Sequence, residues 1–446
     1  MIEIKLKMFL LTNLFFNKTG NQSLYETING YSKHFEVYFI STADLKDTYY
    51  YSTEEISKKM PDINFFFPKI KIYDFSKNIL NRMKNKERIQ QRNETSDLYP
   101  ISLQKTGLLI NQEIKIKNIF AFYYRNYKLY MKAKELIKRG IKPDFICAYE
   151  IGGVIPALKI KKEFPNIKIF SKFQGTVLGP VLENISEKKV SNTFKLDIKA
   201  MKKIKHFDGA IMTNDGTNGD KVLEYFKAKK VLFLPNGIAT DFANEVQQRN
   251  YRKDRIPENK DTIKLYTLSR IISWKRVHLS VEIMNTLVNV FKNKKFELNI
   301  YGKADDVYLL YINNLIKKYS LENFIKIHGP VEYEKVAKIH YDNDILLSLY
   351  TTTNATNPVY EAIYIRNIVI TLRDNNLKNI LKSNPFVVYF ENEVEEETIS
   401  KQIATYLNNF CLKEYYINCF KKNEVINDVF SWEERIQKEI EFIEAL

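Results

Sequence analysis

Several features common in proteins are scarce in this chain, and each scarcity closes off a class. Cysteine occurs only at Cys147, Cys411 and Cys419, an odd count with no paired metal spacing. Neither a disulfide framework nor a zinc site is expected, and a reducing cytoplasm fits. No apolar run reaches the ~18 residues that a spanning helix needs, so a soluble or peripherally bound protein is expected. The opening stretch MIEIKLKMFLLTNLFF has the lysines and apolar middle of a signal peptide. Glu3, Asn13 and the triplet Asn17-Lys18-Thr19, standing where a small-residue cleavage site would be, favour a buried first strand instead. The loop holding Gly216 and Gly219 lacks the first glycine of a dinucleotide fingerprint. Asp342-x-Asp344 precedes its strand and points away from any crevice, so no divalent-metal requirement is expected.

What is present is ample. The chain has 446 residues, 45% of them apolar, enough for two cores of ordinary domain size. Its net charge of +16 is unevenly placed: residues 1–240 carry 41 Lys+Arg against 24 Asp+Glu, and the remainder carries 28 against 29. A composition bias alone would be even between halves. The basic half implies an acidic partner or surface, with anionic lipid, a phosphorylated lipid acceptor and nucleic acid as candidates. No nucleic-acid-binding module is present, so nucleic acid is not expected as a partner.

Strands and helices alternate along the chain. Residues 3–16 and His34 to Ser41 read as the first two strands, with Gly20 in the loop between them. The stretch from Ala43 to about Gln112 is irregular and basic, with Lys84, Lys86, Arg88 and Arg92 close together; it reads either as a cover over the acceptor side or as a solvated connection. A long helix is expected from Lys115 to Gly140, its glycine closing the C-terminus. Its aromatics suit a core, while Tyr123, Tyr124, Arg125, Tyr127 and Lys128 could form an interfacial patch. Pro143 to Glu150 is a strand ending in the polar pair Tyr149-Glu150, and Ile167 to Thr176 is the next, ending in Gln174-Gly175. Asp208 to Phe226 gives strand, loop and helix, and Val231 to Ile238 closes the first domain.

The second domain starts at the strand containing Lys264. Arg270 closes that strand and Lys275 stands five residues on, before an amphipathic helix. Further strands end at Gly302 and at His328-Gly329. The stretch DILLSLYTTTNATNPVYEAIYIRNIVITL, Asp344 to Leu372, reads as strand, loop, helix, strand. Asn357-Pro358 is a strong local helix start, because Asn can cap free amides and Pro fits the first turn. A helix opening just past a parallel strand is an anion site in doubly wound sheets, and Glu361 lies one turn inside it.

Pro358, Glu361 and Ala362 resemble the donor-site signature of family 4 glycosyltransferases, which are retaining, metal-independent enzymes of GT-B fold. The usual first glutamate of that signature is replaced by Thr353, although Thr353-Asn354-Ala355-Thr356-Asn357-Pro358-Val359 is similar to the loop of some members. Arg270 and Lys275 resemble the pair that holds the donor diphosphate. The resemblance implies two Rossmann-like domains facing across a cleft, an α/β architecture with residues 1–237 on the acceptor side, 238–430 binding the nucleotide sugar, and a helix at 431–446 packing back on the first domain. It implies that Arg270 and Lys275 neutralise the diphosphate and that Glu361 meets the ribose. Gly20, Thr353, Asn354 and the 356–360 amides, thus Thr356, Asn357, Val359 and Tyr360, would hold the donor. Gly302 and His328 would lie at the nucleobase, and Tyr149, Glu150, Gln174 and Gly175 at the acceptor. It further implies transfer of a hexose-type sugar to a glycan, lipid-linked or protein acceptor in surface polysaccharide or glycoconjugate synthesis, with no cofactor beyond the nucleotide-sugar substrate. Thr353 keeps open an alternative, a GT-B-fold binding or stabilising subunit without catalysis. The expected location is cytoplasmic, with possible attachment of residues 1–240 to the inner face of a membrane.

Overall fold

The computed structural model describes residues 5–18, 22–43, 50–69, 116–176, 178–179, 182, 192–238, 262–351, 353–373, 381, 384–392, 395–421 and 429–446. Gly20, Lys84, Lys86, Arg88 and Arg92, named above, lie outside the described residues, as does the linker at 239–261.

In the first domain the strands are β1 (Lys7–Thr12), β2 (Glu36–Ser41), β3 (Asn64–Phe66), β4 (Phe145–Tyr149), β5 (Lys168–Phe173), β6 (Gly209–Thr213) and β7 (Val231–Leu234). They form one parallel sheet in the order β3-β2-β1-β4-β5-β6-β7. Helices α1 (Ser23–His34), α2 (Thr53–Lys59), α3 (Ile116–Lys138), α4 (Ile151–Glu163), α5 (Asn192–Met201) and α6 (Gly219–Tyr225) connect them. Strands covered on both faces are apolar almost throughout, which is why β4 reads Phe-Ile-Cys-Ala-Tyr and is wholly buried. The first strand is shorter than the 3–16 expected, because Asn13 breaks the apolar run where the chain leaves the sheet.

A two-residue strand, β8 (Gly237–Ile238), leads out of this domain. The second domain repeats the design with β9 (Ile263–Leu268), α7 (Val277–Asn285), β10 (Phe296–Tyr301), α8 (Asp306–Lys318), β11 (Ile325–Gly329), α9 (Val336–Asp342), β12 (Ile345–Ser348), α10 (Asn357–Tyr364), β13 (Ile368–Arg373), β14 (Val387–Glu391), α11 (Glu396–Asn408) and α12 (Leu412–Lys421). The parallel sheet order is β11-β10-β9-β12-β13-β14, the doubly wound arrangement whose ligand crevice opens between β9 and β12. Asp344 accepts from Lys264 N at 2.8 Å and Asp342 pairs with Lys338, both at the edge of the sheet away from that crevice.

The chain then returns. After β15 (Phe430–Ser431), which pairs with β8, helix α13 (Trp432–Glu444) begins at a capping box formed by Ser431 and Glu434. Its face of Ile436, Ile440 and Ile443 enters the core of the first domain beside Tyr31, Phe35 and Cys147. The approach to α1 is so close that a Cβ on Gly30 would fall 2.7 Å from the Ile436 side chain. Beneath it Glu439 accepts from Lys172 at 2.5 Å, from Arg435 at 2.9 Å and from Tyr31 at 2.7 Å, all of them buried. Burial lowers the Lys172 ammonium to about 8, even against the opposing pull of Glu439. The 237/238 boundary falls inside β8: Gly237 packs on Trp432, whereas Ile238 joins the second domain's cluster with Tyr266 and Val359.

Candidate active site

The two crevices face each other. On the second domain, β9 ends at Leu268, and after Ser269 the exposed Arg270 begins a turn that closes as a single 3-10 turn, Ser273–Lys275. Arg276 at φ 49 then redirects the chain into α7, and it is tied down by Glu396 at 3.1 Å and Asn392 at 3.0 Å. Lys275 is only 9% exposed. Its Nζ lies 4.1 Å from the Trp274 ring centroid and 3.5 Å from that of Tyr350, and it forms no ion pair with any described residue. Burial, followed by the charge of Arg270, holds this ammonium well below the ordinary lysine range, and Asp215 acts in the opposite sense. A desolvated cation without a paired carboxylate is costly unless an anion completes it.

The loop after β12 is organised by a side chain expected to touch the donor. Asn354 is fully buried and its Oδ1 accepts from Tyr350 N at 3.0 Å and Ser348 Oγ at 3.1 Å, so it shapes the loop from within. Thr351 N donates to the Trp274 carbonyl at 3.1 Å and thereby fixes the wall behind Lys275. The helix start also departs from expectation. Thr356, not Asn357, is the capping position of α10, and no side chain caps it. The amide of Thr356 donates to Asn354 O, and those of Val359 and Tyr360 donate to Thr356 O, so the amide cradle expected over 356–360 is largely satisfied within the chain. The Asn357 side chain turns instead to the other domain and accepts from Asn236 Nδ2 at 2.7 Å. Asn236 is in turn bonded to Ser23 at the start of α1.

Glu361 is 4% exposed and lies 3.3 Å from the buried His340, whose other ring nitrogen is 2.6 Å from Tyr266 Oη. Gly302 has φ 144, and a Cβ there would fall 1.7 Å from the Ser269 carbonyl, so its requirement is close backbone packing beside the Arg270 turn. His328 is exposed, stacks on Tyr301 with centroids 4.3 Å apart and contacts Asn299 at 2.8 Å. Burial, followed by the charge of Lys326, lowers its pKa.

On the first domain the ends of β4, β5 and β6 bring carboxylates together. Glu150 follows β4 at φ 59 and ψ 177, a backbone region that L-residues occupy only when their surroundings force it. Its Oε1 accepts from Gln174 N at 2.6 Å, while the Gln174 side chain bonds the buried Tyr149 hydroxyl. Burial raises the Glu150 carboxyl to about 7, with Asp215 and Asp197 adding to the effect and Lys172 opposing it. Asp215, just past β6, is likewise raised to about 6 by burial. Its Oδ1 accepts from Thr217 N at 3.1 Å and Thr217 Oγ1 at 2.5 Å. Gly175 at φ 145 lies directly against it, since a Cβ there would fall 2.0 Å from Asp215 Oδ2. Across the cleft, Thr353 Oγ1 donates to the Asp215 carbonyl at 2.6 Å.

The sequence pattern thus locates both walls, but the structure adds Asp215, Asn236, Trp274 and Tyr350. The Asn-Asp-Gly turn at 214–216 was the one local signal for Asp215, a polar turn at the carboxyl end of a parallel strand.

Two doubly wound domains facing across a cleft make up a GT-B fold, here with a buried cation on one wall and carboxylates on the other. Residues 248–422, most of the second domain, match the family model described as glycosyl transferases group 1. No curated protein sequence matches the chain. Similar solved structures include Anabaena Alr3699/HepE in complex with UDP and glucose, at 12% identity over 99% of this chain and 100% of that one, with a TM-score of 0.61. A glycosyltransferase from Rickettsia africae is similar at 16% identity, covering 98% of each chain, with a TM-score of 0.60. A mutant of S. aureus TarM in complex with fondaparinux, alpha-GlcNAc-glycerol and UDP is similar at 14% identity over 98% of this chain and 99% of that one, with a TM-score of 0.57.

Proposed function

We propose that this chain transfers a hexose-type sugar, with retention of anomeric configuration, from a nucleoside-diphosphate donor to a hydroxyl of a glycan, lipid-linked or protein acceptor. The observation that carries the reading is Lys275, a buried ammonium held over two rings with no described carboxylate paired to it, five residues from Arg270. Departure of a nucleoside diphosphate develops negative charge, and two fixed cations stabilise it without a metal. Glu361 is assigned to the ribose and the Tyr301-His328 stack to the base. The likeness to folds crystallised with UDP supports UDP as the first nucleotide to try.

The setting is proposed to be cytoplasmic, on surface polysaccharide or glycoconjugate synthesis. Among the described residues no helix is long and apolar enough to cross a membrane. Peripheral attachment is supported by α3, where Ile119, Phe120, Tyr123, Tyr127 and Met131 are exposed at near-helical spacing and Lys128 lies over the Tyr124 ring.

The test is release of UDP or GDP by the purified protein from UDP-glucose, UDP-N-acetylglucosamine and GDP-mannose, with and without a chelator. Turnover of one donor that survives chelation is expected, with the product anomer read by NMR once an acceptor is found. Neither turnover nor nucleoside-diphosphate binding would favour the non-catalytic subunit, and loss of turnover on chelation would overturn the metal-independent reading.

A further inference from the structure

We infer that Asp215, on the first domain, is a sugar-binding residue of the donor site, set in place by Thr353 of the second domain. This rests on the nucleotide-sugar reading above and adds to it the group that grips the transferred sugar.

The placement of Asp215 leads to this role. The ammonium of Lys275 and the carboxylate of Asp215 influence each other across the cleft, yet among the described residues they form no ion pair. A diphosphate seated at Arg270 and Lys275 must carry its sugar toward the acceptor wall, and Asp215 stands on that wall. The carboxylate is also preorganised. Thr217 supplies two donors to Oδ1, Gly175 leaves room for Oδ2 only because it lacks a side chain, and the Thr353 hydroxyl fixes the Asp215 backbone from the opposite domain.

Thr353 cannot itself donate to the sugar in this arrangement. Its hydroxyl hydrogen goes to Asp215 O, and its oxygen accepts from Ala355 N at 3.1 Å. The donor hydrogen of that loop position is therefore spent on the clasp. An ionised carboxylate with an oxygen to spare accepts from sugar hydroxyls strongly, because such bonds are charge-assisted. Burial raises the Asp215 carboxyl, and a bound sugar donating to it together with the ammonium opposite would draw it back toward the ionised form. One consequence distinguishes this scheme from a donor site built on one domain. The second domain carries the diphosphate cations, whereas the sugar is held only while the two domains are clasped.

The experiment compares wild type with Asp215→Asn, Thr353→Val and the double variant, measuring binding of UDP and GDP and of UDP-glucose, UDP-N-acetylglucosamine and GDP-mannose by calorimetry, alongside melting temperature. For the preferred donor, wild type is expected to bind the nucleotide sugar more tightly than the free diphosphate. Asp215→Asn should erase that gain and lower kcat/KM by about tenfold to a hundredfold, the range of one hydrogen bond to a charged group, with diphosphate affinity changed far less. Thr353→Val should show the same signature more weakly, and the double variant should lose less than the sum of the two. A sugar-dependent gain intact in Asp215→Asn, or an equal loss for diphosphate and nucleotide sugar, would overturn the inference while leaving the transferase reading standing. Wild type that binds none of the diphosphates would overturn that reading instead.

Discussion

The Lys275 ammonium stands 3.5 Å from the centroid of the Tyr350 ring, so the cation of one strand-end turn is seated on an aromatic from the neighbouring strand end. Ring faces stabilise a cation without neutralising it. The charge is thereby kept available to a ligand. Lys275→Met retains the stem and removes only the charge. It should lower kcat/KM by about 10²- to 10³-fold, the scale of losing one fixed donor at a developing charge. The melting temperature should hold or rise, because a desolvated cation has been removed. Arg270→Lys should also be poor, since a point charge cannot reproduce a planar two-pronged contact with phosphate.

The same ammonium makes binding pH-dependent. Its pKa is held well below the usual lysine range in the empty site, and an anion beside it must raise it. Above the free-site pKa, nucleoside diphosphate binding should therefore take up protons, and affinity should fall as pH rises past it. Calorimetry of UDP binding in two buffers of different ionisation enthalpy reads the uptake directly. Equal apparent enthalpies at every pH up to the ordinary lysine range would contradict it.

Glu150 gives a second pH effect with a definite sign. Its folded pKa of about 7 lies above the ordinary 4.5, so the folded state binds the proton more tightly. Stability is favoured below the unfolded value, declines as pH rises from there to about 7, and carries the full penalty above, up to about 3 kcal/mol. Glu150→Gln should accordingly raise the melting temperature at about pH 8 and give no such gain at about pH 4. A variant that stabilises equally at both would mean that packing, not ionisation, governs the site.

The buried cluster under α13 should be brittle. Glu439→Ala leaves Lys172 and Arg435 as two buried cations without their shared carboxylate, a loss of about 3–5 kcal/mol. Chemical denaturation should show the first domain unfolding earlier while the second retains its midpoint. An unchanged first transition would indicate that α13 is dispensable for that core.

Attachment to anionic vesicles is expected through the exposed face of α3. Tyr127→Ser together with Lys128→Glu should weaken co-sedimentation with anionic vesicles, and salt should weaken it in wild type as the Debye length shrinks below about 8 Å. Equal sedimentation with neutral and anionic vesicles would leave the basic half to recognise an acidic acceptor.

Much of the architecture was legible because parallel strands covered on both faces are short apolar runs, such as Ile345–Ser348, and the turns between them carry local chemistry. Arg270, Lys275 and the Pro358-to-Glu361 helix could be placed for that reason. What the sequence hid were choices between equally good local partners. Asn357 before Pro358 is a proper cap by local rules, yet its amide side chain meets Asn236 from 121 residues away. The likeness of its loop to that of family members places Asn354 at the donor, and only the packed loop shows its Oδ1 turned inward. Asp215 has only the Asn-Asp-Gly turn to mark it. Its significance comes from Gly175, Thr353 and Lys275, three residues that no spacing rule connects to it.

The return of α13 to the first domain also fixes an order of events during synthesis. The sheet of that domain is complete once β7 has been made, but Lys172, Tyr31 and the groove at Gly30 then wait for Glu439 and Ile436, which emerge only after the whole second domain. Domains commonly fold in the order in which they leave the ribosome. Here the half made first is the half finished last, so the second domain can reach its final form while its partner is still an open template awaiting α13.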